Sequence, residues 1–493
     1  VAGGEMTIAI PVNVDSLDPL KQTTSEMIRA LSLVFEGVLS YDSTNRLSPA
    51  LGESWEPDET GKIWTIHLRQ GVKWHGTEMY FSANDVVYTL NHLAELTDSP
   101  YYALMQYVES YSAVDLNTIQ IEGKEAGEQA LHVLTIPMMS QDNAAVTLPV
   151  GTGPYRITSA SGSGMELEAN QNWWKVSPYI EKIHCVGKLT ADAALVAISA
   201  NQLNFLLTSA LSARQYREDD VRTVEDVNTQ TVETLLINYA SDSNFADKNV
   251  RKALAYALDR HDLISNVYQN HAVAADVPVP IDSYIYDSAY KVYDTNTDKA
   301  LQYMSDAGWV DNDNDGKLEK DGREFTCKLL VNDTTDSPAR KDAANAIAVQ
   351  LAEIGVSVEV ETAKYAPDAE EPVLDYQTKL ENGEFDLALV GFKLNMSGDL
   401  SFLLHSDAAK NYGGYSYVLM DNAVEAARTA VGEANVRAAY SELERLFVDE
   451  LPFITLYFRT ASLIYSSDIK GITGMRGETV FSTVNKWYIE SAE

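Results

Sequence analysis

Apolar positions recur along the chain in two rhythms. Val86, Val87, Leu90 and Leu93 fall three and four residues apart, the spacing of one helix face. Just upstream, Ser82 and Asp85 form a capping box that starts this helix. A second helix is predicted with Ser337 at its N-cap and Pro338 in its first turn. Its apolar stripe is Ala343, Ile347, Leu351 and Ile354, and Gly355 follows its end. A third spans 250–268 with Leu254, Leu258 and Val267 inward, and a fourth spans 435–448 with Val436, Tyr440, Leu443 and Phe447 inward. Between them lie short apolar runs bounded by turn residues, at 63–68, 235–238, 385–390 and 453–458. Strands interleaved with helices predict an α/β chain.

Length adds scale. At roughly 100–200 residues per domain, 493 residues make two to four domains. Apolar residues at 45% and charged residues at 22% are ordinary for a folded chain, which excludes wholesale disorder. Charge changes the picture more. Lys and Arg number 37 against 72 Asp and Glu, a formal net charge of −35. Such a surface repels phosphate backbones, so nucleic acid is not an expected partner. No apolar run is long enough to span a bilayer, and the richest, 451–465, contains Arg459. Cys185 and Cys327 are too few for a disulfide framework and read as two unpaired thiols. Val1-Ala2-Gly3-Gly4 reads like the start of a processed or trimmed chain.

The common reaction motifs are missing: there is no GxSxG, HExxH, CxxC or GxxxxGK[ST]. Gly151-Thr152-Gly153-Pro154-Tyr155 starts like a phosphate loop, but Pro154 removes an amide that such a loop uses. It reads as a rigid turn into a strand at Tyr155. The histidines do not cluster, and His67 and His75 are the nearest pair of interest. One segment has metal-ligand spacing. Asp311, Asp313 and Asp315 with Gly316 match positions 1, 3, 5 and 6 of a calcium loop, but position 12 is Gly322 instead of a bidentate Glu. The competing reading is a polar hairpin turn before the strand at 325–330.

The remaining motifs form an ordered series. They are Leu17-Asp18-Pro19, then 34–39 (Val-Phe-Glu-Gly-Val-Leu), Leu51 to Trp55, and 64–77 (Trp-Thr-Ile-His-Leu-Arg-Gln-Gly-Val-Lys-Trp-His-Gly-Thr). Next come 82–88 (Ser-Ala-Asn-Asp-Val-Val-Tyr), Gly151 to Tyr155, Val250 to Arg260, Ala307-Gly308-Trp309 and Leu451-Pro452-Phe453. Each alone is weak, and their order makes the match specific. Over nearly its whole length the chain resembles the extracytoplasmic solute-binding proteins of ATP-driven (ABC) importers, in the family 5 group that binds oligopeptides, dipeptides and nickel chelates.

That resemblance implies an α/β fold of two-lobed periplasmic-binding-protein type (type II). Lobe 1 would hold residues 1–42, 151–239 and 466–493, with a family-specific subdomain at 43–150, and lobe 2 would hold 240–465. The implied function is capture of a peptide-like ligand between hinged lobes for delivery to a membrane permease, with no chemistry and no cofactor. The alternative on the same fold is a non-peptide solute: a metal chelate, an opine-like amino acid derivative or an oligosaccharide. An enzyme on a two-lobed scaffold is the third reading, and the missing motifs speak against it. The resemblance further implies a monomer outside the cytoplasm, tethered by a lipid on a Cys upstream of Val1.

It also implies ligand contacts. In peptide-binding relatives an Asp after the strand that aligns with residues 385–392 pairs with the ligand's α-ammonium, and Asn395 stands at that position. Phe392 stands where relatives place a Trp wall. Lys393, on the same side as Asn395 if the segment is extended, repels an ammonium and attracts a carboxylate. Asp399 substitutes for the missing Asp only if the loop bends back. Three readings stand open for Lys393 and Asn395: a site for a non-peptide or anionic solute, peptide binding in another register, or ordinary loop groups. Tyr107, Phe205, Tyr239, Thr23 and Thr24 complete the implied set. For each aromatic the competing reading is core packing.

Overall fold

A computed structural model of the protein describes residues 3–10, 16–143, 148–187, 189–240, 242–333 and 338–490. Two long strands carry the chain between two units. It leaves the first unit inside Arg222–Ile237, between Asn228 and Thr229, and returns inside Phe453–Ser466, between Thr460 and Ala461. Thr429–Val431 also belong to the first unit. The sequence placed these crossings near Tyr239 and Ser466. Within Phe453–Ser466, residues 457–459 pair in the second unit and 462–465 in the first, so the switch falls inside the strand.

In the first unit a sheet runs in the order Phe205–Thr208, Glu5–Ala9, Lys182–Val186, Gly164–Ala169, Tyr155–Ser161. Alternate residues of Glu5–Ala9 turn inward, as a pleated strand requires, and Met6 and Ile8 join Tyr155, Leu167, Ile183, Leu463 and Trp487 in one core. A second core of the same unit is built on four antiparallel strands, ordered Gly52–Pro57, Ile63–Leu68, Thr118–Gly123, Val108–Asp115, and on the helix Ala83–Glu95. Trp64, Ile66 and Leu68 point into it, while His67 faces solvent with Nε2 2.7 Å from Glu56. The helix starts at the expected box, where the Ser82 amide donates to Asp85 Oδ2 at 2.8 Å.

The Gly151–Gly153 segment is a turn clamped against backbone. A Cβ on Gly151 would lie 1.9 Å from the Val34 carbonyl oxygen, so only glycine fits. His75 bridges the turn: its Nε2 donates to the Gly153 carbonyl at 2.9 Å and its Nδ1 accepts from the Gly151 amide at 3.1 Å. These roles need a neutral ring, and burial pushes the His75 pKa down to about 4. Nearby, half-buried Glu36 accepts from Thr152 Oγ1 at 2.8 Å, Trp174 Nε1 at 3.0 Å and Trp173 Nε1 at 3.2 Å. Burial raises its pKa against the pull of those donors.

In the second unit the sheet order is Ser357–Lys364, Thr326–Asp333, Leu387–Lys393, then residues 231–237, then the start of Phe453–Ser466 with Ala272–Ala274 beside it. The helix Ala339–Ala352 links the two parallel strands Thr326–Asp333 and Ser357–Lys364, burying Ala343, Ile347 and Leu351 as expected. The N-cap expected at Ser337 lies outside the described residues. The helix expected over 250–268 is instead broken. Lys248–Ala257 ends before Asp259, whose side chain caps a new turn at Asp262, and a π-helical turn follows over Leu263–Val267. Gln350 Oε1 holds the Asp259 amide at 2.9 Å, and the Arg260 guanidinium binds the Thr455 carbonyl at 2.8 Å. These distant partners fix the break.

The helix Glu433–Glu450 buries Glu444, whose two oxygens share the Asp287 amide at 3.1 and 3.3 Å. Burial, with the Asp287 charge adding to it, raises the Glu444 pKa to about 9. Phe453–Ser466 is buried along most of its length, which explains the apolar run there. Cys185 and Cys327 are free and buried, one in each unit. Burial raises both thiol pKa values, that of Cys327 to about 12. Among the described residues no helix is long and apolar enough to cross a membrane.

Candidate functional site

The site builds from the end of the strand Leu387–Lys393. Phe392 and Leu394 are buried, while Lys393 and Asn395 between and after them are exposed. The alternation persists past the assigned strand because the Leu394 amide still donates to the Gln230 carbonyl at 2.8 Å. Lys393 and Asn395 therefore share one face, as an extended segment requires. Phe392 lies on the other face, 7% exposed.

The loop then turns. The Gly398 amide donates to the Asn395 carbonyl at 3.1 Å, and the Tyr440 hydroxyl donates to the Gly398 carbonyl at 2.7 Å. The bend brings the Asp399 backbone, not its carboxylate, to Asn395, whose Nδ2 lies 3.5 Å from the Asp399 carbonyl. The buried Asp399 carboxylate faces Ser401, accepting from its amide at 2.9 Å and its hydroxyl at 2.5 Å. Arg428 Nη1 donates to the same hydroxyl at 2.8 Å. Asp399 thus shapes the loop from within.

Behind Lys393 on the same face is a buried ion pair. Thr231 pairs with Lys393 and Glu233 with Gly391, so these four positions share a face. Glu233 is 0% exposed and receives Arg340 twice, Nε at 3.0 Å and Nη2 at 2.9 Å, in a fork-to-carboxylate geometry. Arg340 Nη1 also reaches Asn332 at 3.1 Å. Burial alone lowers the Arg340 pKa, but the Glu233 charge and hydrogen bonds outweigh it and raise the value. A Cβ on Gly391 would lie 2.5 Å from Arg340 Nη2, so glycine leaves the room this pair needs. Next to Arg222–Ile237 on its other side, Arg459 stacks on Tyr268, its guanidinium carbon 5.5 Å from the ring centroid.

The other expected contacts are placed separately. Tyr239 lies past the far end of the same strand. Its hydroxyl donates to the Leu451 and Pro452 carbonyls at 3.0 and 2.9 Å, and its ring meets Tyr415 edge-on at 5.1 Å. A shallow depression lies nearby, lined by Leu236, Ile237, Leu403, Tyr412, Tyr415 and Phe453 among others. In the first unit, Phe205 is 2% exposed and packs on Phe481 and Trp487 at 5.3 and 5.2 Å, which makes it a core residue in this structure. Thr24 caps the helix Ser25–Leu31 by accepting from the Met27 amide at 3.4 Å, and Thr23 is exposed beside it. Tyr107 is half-buried at the end of the 3₁₀ turn Tyr102–Tyr107. The structure thus brings Lys393 and Asn395 together, adds Arg459 and the Glu233–Arg340 pair, and sets Tyr239 apart.

The acidic turn at 311–319 is a hairpin: Val310 and Glu319 bridge, and the strand Thr326–Asp333 follows. Carboxylate oxygens of Asp311, Asp313, Asp315 and Glu319 lie within 4.8 Å of one another. Glu319 is missing from the sequence reading, although it holds position 9 of the same loop spacing. The oxygens already accept backbone amides, Asp311 from Gly316 at 3.0 Å and Glu319 from Asn312 at 2.9 Å.

Comparison with known proteins gives a consistent match. The family model for bacterial extracellular solute-binding proteins, family 5 (middle region), covers residues 46–414. The oligopeptide-binding protein AppA of Bacillus subtilis is 24% identical over 518 residues, spanning 99% of this chain and 92% of that protein. Among solved structures, the MppA periplasmic murein tripeptide-binding protein superposes with a TM-score of 0.84 at 18% identity, over 99% of this chain and 98% of that one. A nickel ABC transporter structure from Bacillus halodurans superposes at 0.82 with 22% identity, over 97% and 98%. The fold is the type II periplasmic-binding-protein fold that the motif series implied.

Proposed function

This chain belongs to the bacterial extracellular solute-binding proteins of family 5, and we propose that it is the solute receptor of an ABC importer, taking a peptide-like ligand outside the cytoplasm and delivering it to a permease. The observation that carries this reading is the match to an oligopeptide-binding protein over 99% of the chain. The exposed Lys393–Asn395 face supplies polar anchors and Arg459 rests on the Tyr268 ring, polar and aromatic groups being the usual make-up of a small-molecule site. Hinge closure on the ligand, a monomeric state, lipid anchoring through a Cys upstream of Val1 and the absence of catalysis belong to the same proposal. A second reading, a non-peptide solute such as a metal chelate, is favoured by the neutral Asn395 and by the nickel-transporter neighbour.

Native mass spectrometry of the purified protein, followed by release of whatever is bound, tests the choice. A ladder of masses spaced by amino-acid residues is expected. A single discrete mass that is not a peptide would overturn the peptide reading in favour of the second.

A further inference from the structure

We propose that Lys393 and Arg459 form a cationic clamp that takes a carboxylate of the solute; this rests on the peptide-like reading above and names the end of the ligand that the second unit anchors. Three cations share one face of that unit's sheet, and one of them is already neutralised. Arg340 is bidentate to Glu233, and that carboxylate is fully buried beneath it. The other two have no such partner. Among the described residues Lys393 and Arg459 form no ion pair, and the Arg459 guanidinium rests only on the Tyr268 ring.

Their placement suits one shared anion. Lys393 pairs directly with Thr231, and Thr229 Oγ1 donates to the Arg459 carbonyl at 2.6 Å, so the two cations flank one strand from opposite sides. Two strand spacings separate their backbones by about 10 Å, and both side chains are long enough to converge above Thr231. Tyr457, two residues before Arg459 and so on the same side of its strand, packs on the same Tyr268 ring at 4.9 Å. The aromatic floor orients the guanidinium, and Thr231, half-buried between the cations, offers a hydroxyl. Asn395, exposed on the same face as Lys393, is neutral and adds no repulsion. A ligand ammonium would meet two positive charges here, whereas a carboxylate would meet charge-assisted donors.

The test uses alanine tri-, tetra- and pentapeptides as free acids, C-terminal amides and N-acetylated acids, with affinities read by calorimetry on the full chain. The free acids and N-acetylated acids are expected to bind, and the amides to bind at least about tenfold more weakly. Lys393→Gln and Arg459→Gln should each weaken the free acids by about tenfold while leaving the amides unchanged, and Arg459→Lys should restore most of the loss. Unchanged circular dichroism and melting in these variants would separate lost binding from lost folding. Equal binding of acids and amides would overturn the clamp and leave the peptide reading intact. Failure of every form to bind would overturn the peptide reading itself. Inorganic phosphate that outcompetes the acids at equal concentration would assign the cations to a phosphate group instead and overturn the carboxylate.

Discussion

Each unit draws a carboxylate out of water, and each holds it differently. In the first, Glu36 sits among neutral donors, two indoles and a hydroxyl from distant segments. In the second, Glu233 is matched by a single guanidinium. A cage of neutral donors degrades gradually, because each bond is a modest part of the whole. A buried ion pair is all or nothing, because removing one partner strands a charge. The first unit keeps two buried histidines neutral, with burial lowering the pKa of His75 to about 4 and of His132 to about 3. The second keeps a carboxylic acid protonated, at Glu444.

The comparison breaks first if Arg340→Met is mild. That variant should destabilise the second unit by about 3–5 kcal/mol, read by urea unfolding, and adding Glu233→Gln should recover much of the loss. A loss no larger than that of a single cage donor would erase the distinction. Acid is the next lever. His75 has a folded pKa below its unfolded value near 6.5, so its contribution is present above pH 6.5 and lost as pH falls through about 4. Unfolding free energy should drop by about 3 kcal/mol across that window, and His75→Gln should flatten the profile. Base acts on the other unit. Glu444 has a raised pKa, so its contribution is present below about 4.5 and lost as pH rises through about 9. Stability should fall by about 2 kcal/mol between about pH 5.5 and about pH 7, and Glu444→Gln should abolish that slope. The smallest effect is Thr152→Val, which removes one of the Glu36 donors and should cost about 1–2 kcal/mol in a thermal melt.

Much of this was legible because local periodicity and local chemistry agreed. The strand Ile63–Leu68, the helix after Ser82, the Gly151–Gly153 turn and the 311–319 hairpin needed no distant partner to be recognised. Lys393 and Asn395 fell on one face because the side-chain period of a strand is two. What escaped the sequence depends on tertiary partners. The break at Asp259 is fixed by Gln350 and Thr455, nearly a hundred and two hundred positions away. Phe205 and Phe392 look like binding aromatics by type, yet each is buried in this structure, because aromatic side chains serve cores and clefts alike. Asp399 turned toward Ser401, a choice between loop geometries that spacing does not encode. Arg459 was hidden by its surroundings: the strand around it is buried on both faces, so no alternation marked its face. A lone charge inside that run was the signal available.

The two cysteines have a practical consequence. Cys185 lies in a core strand of the first unit and Cys327 in a strand of the second, and in both burial keeps the thiol from ionising. A thiol reagent modifies the thiolate and needs access, so each sulfur stays silent until its own strand opens. A brief labelling pulse, followed by digestion and peptide mass analysis, would report the opening of each unit separately, with no probe introduced. The protein carries its own two-channel unfolding reporter, and ligand protection of one channel but not the other would show which unit the solute steadies.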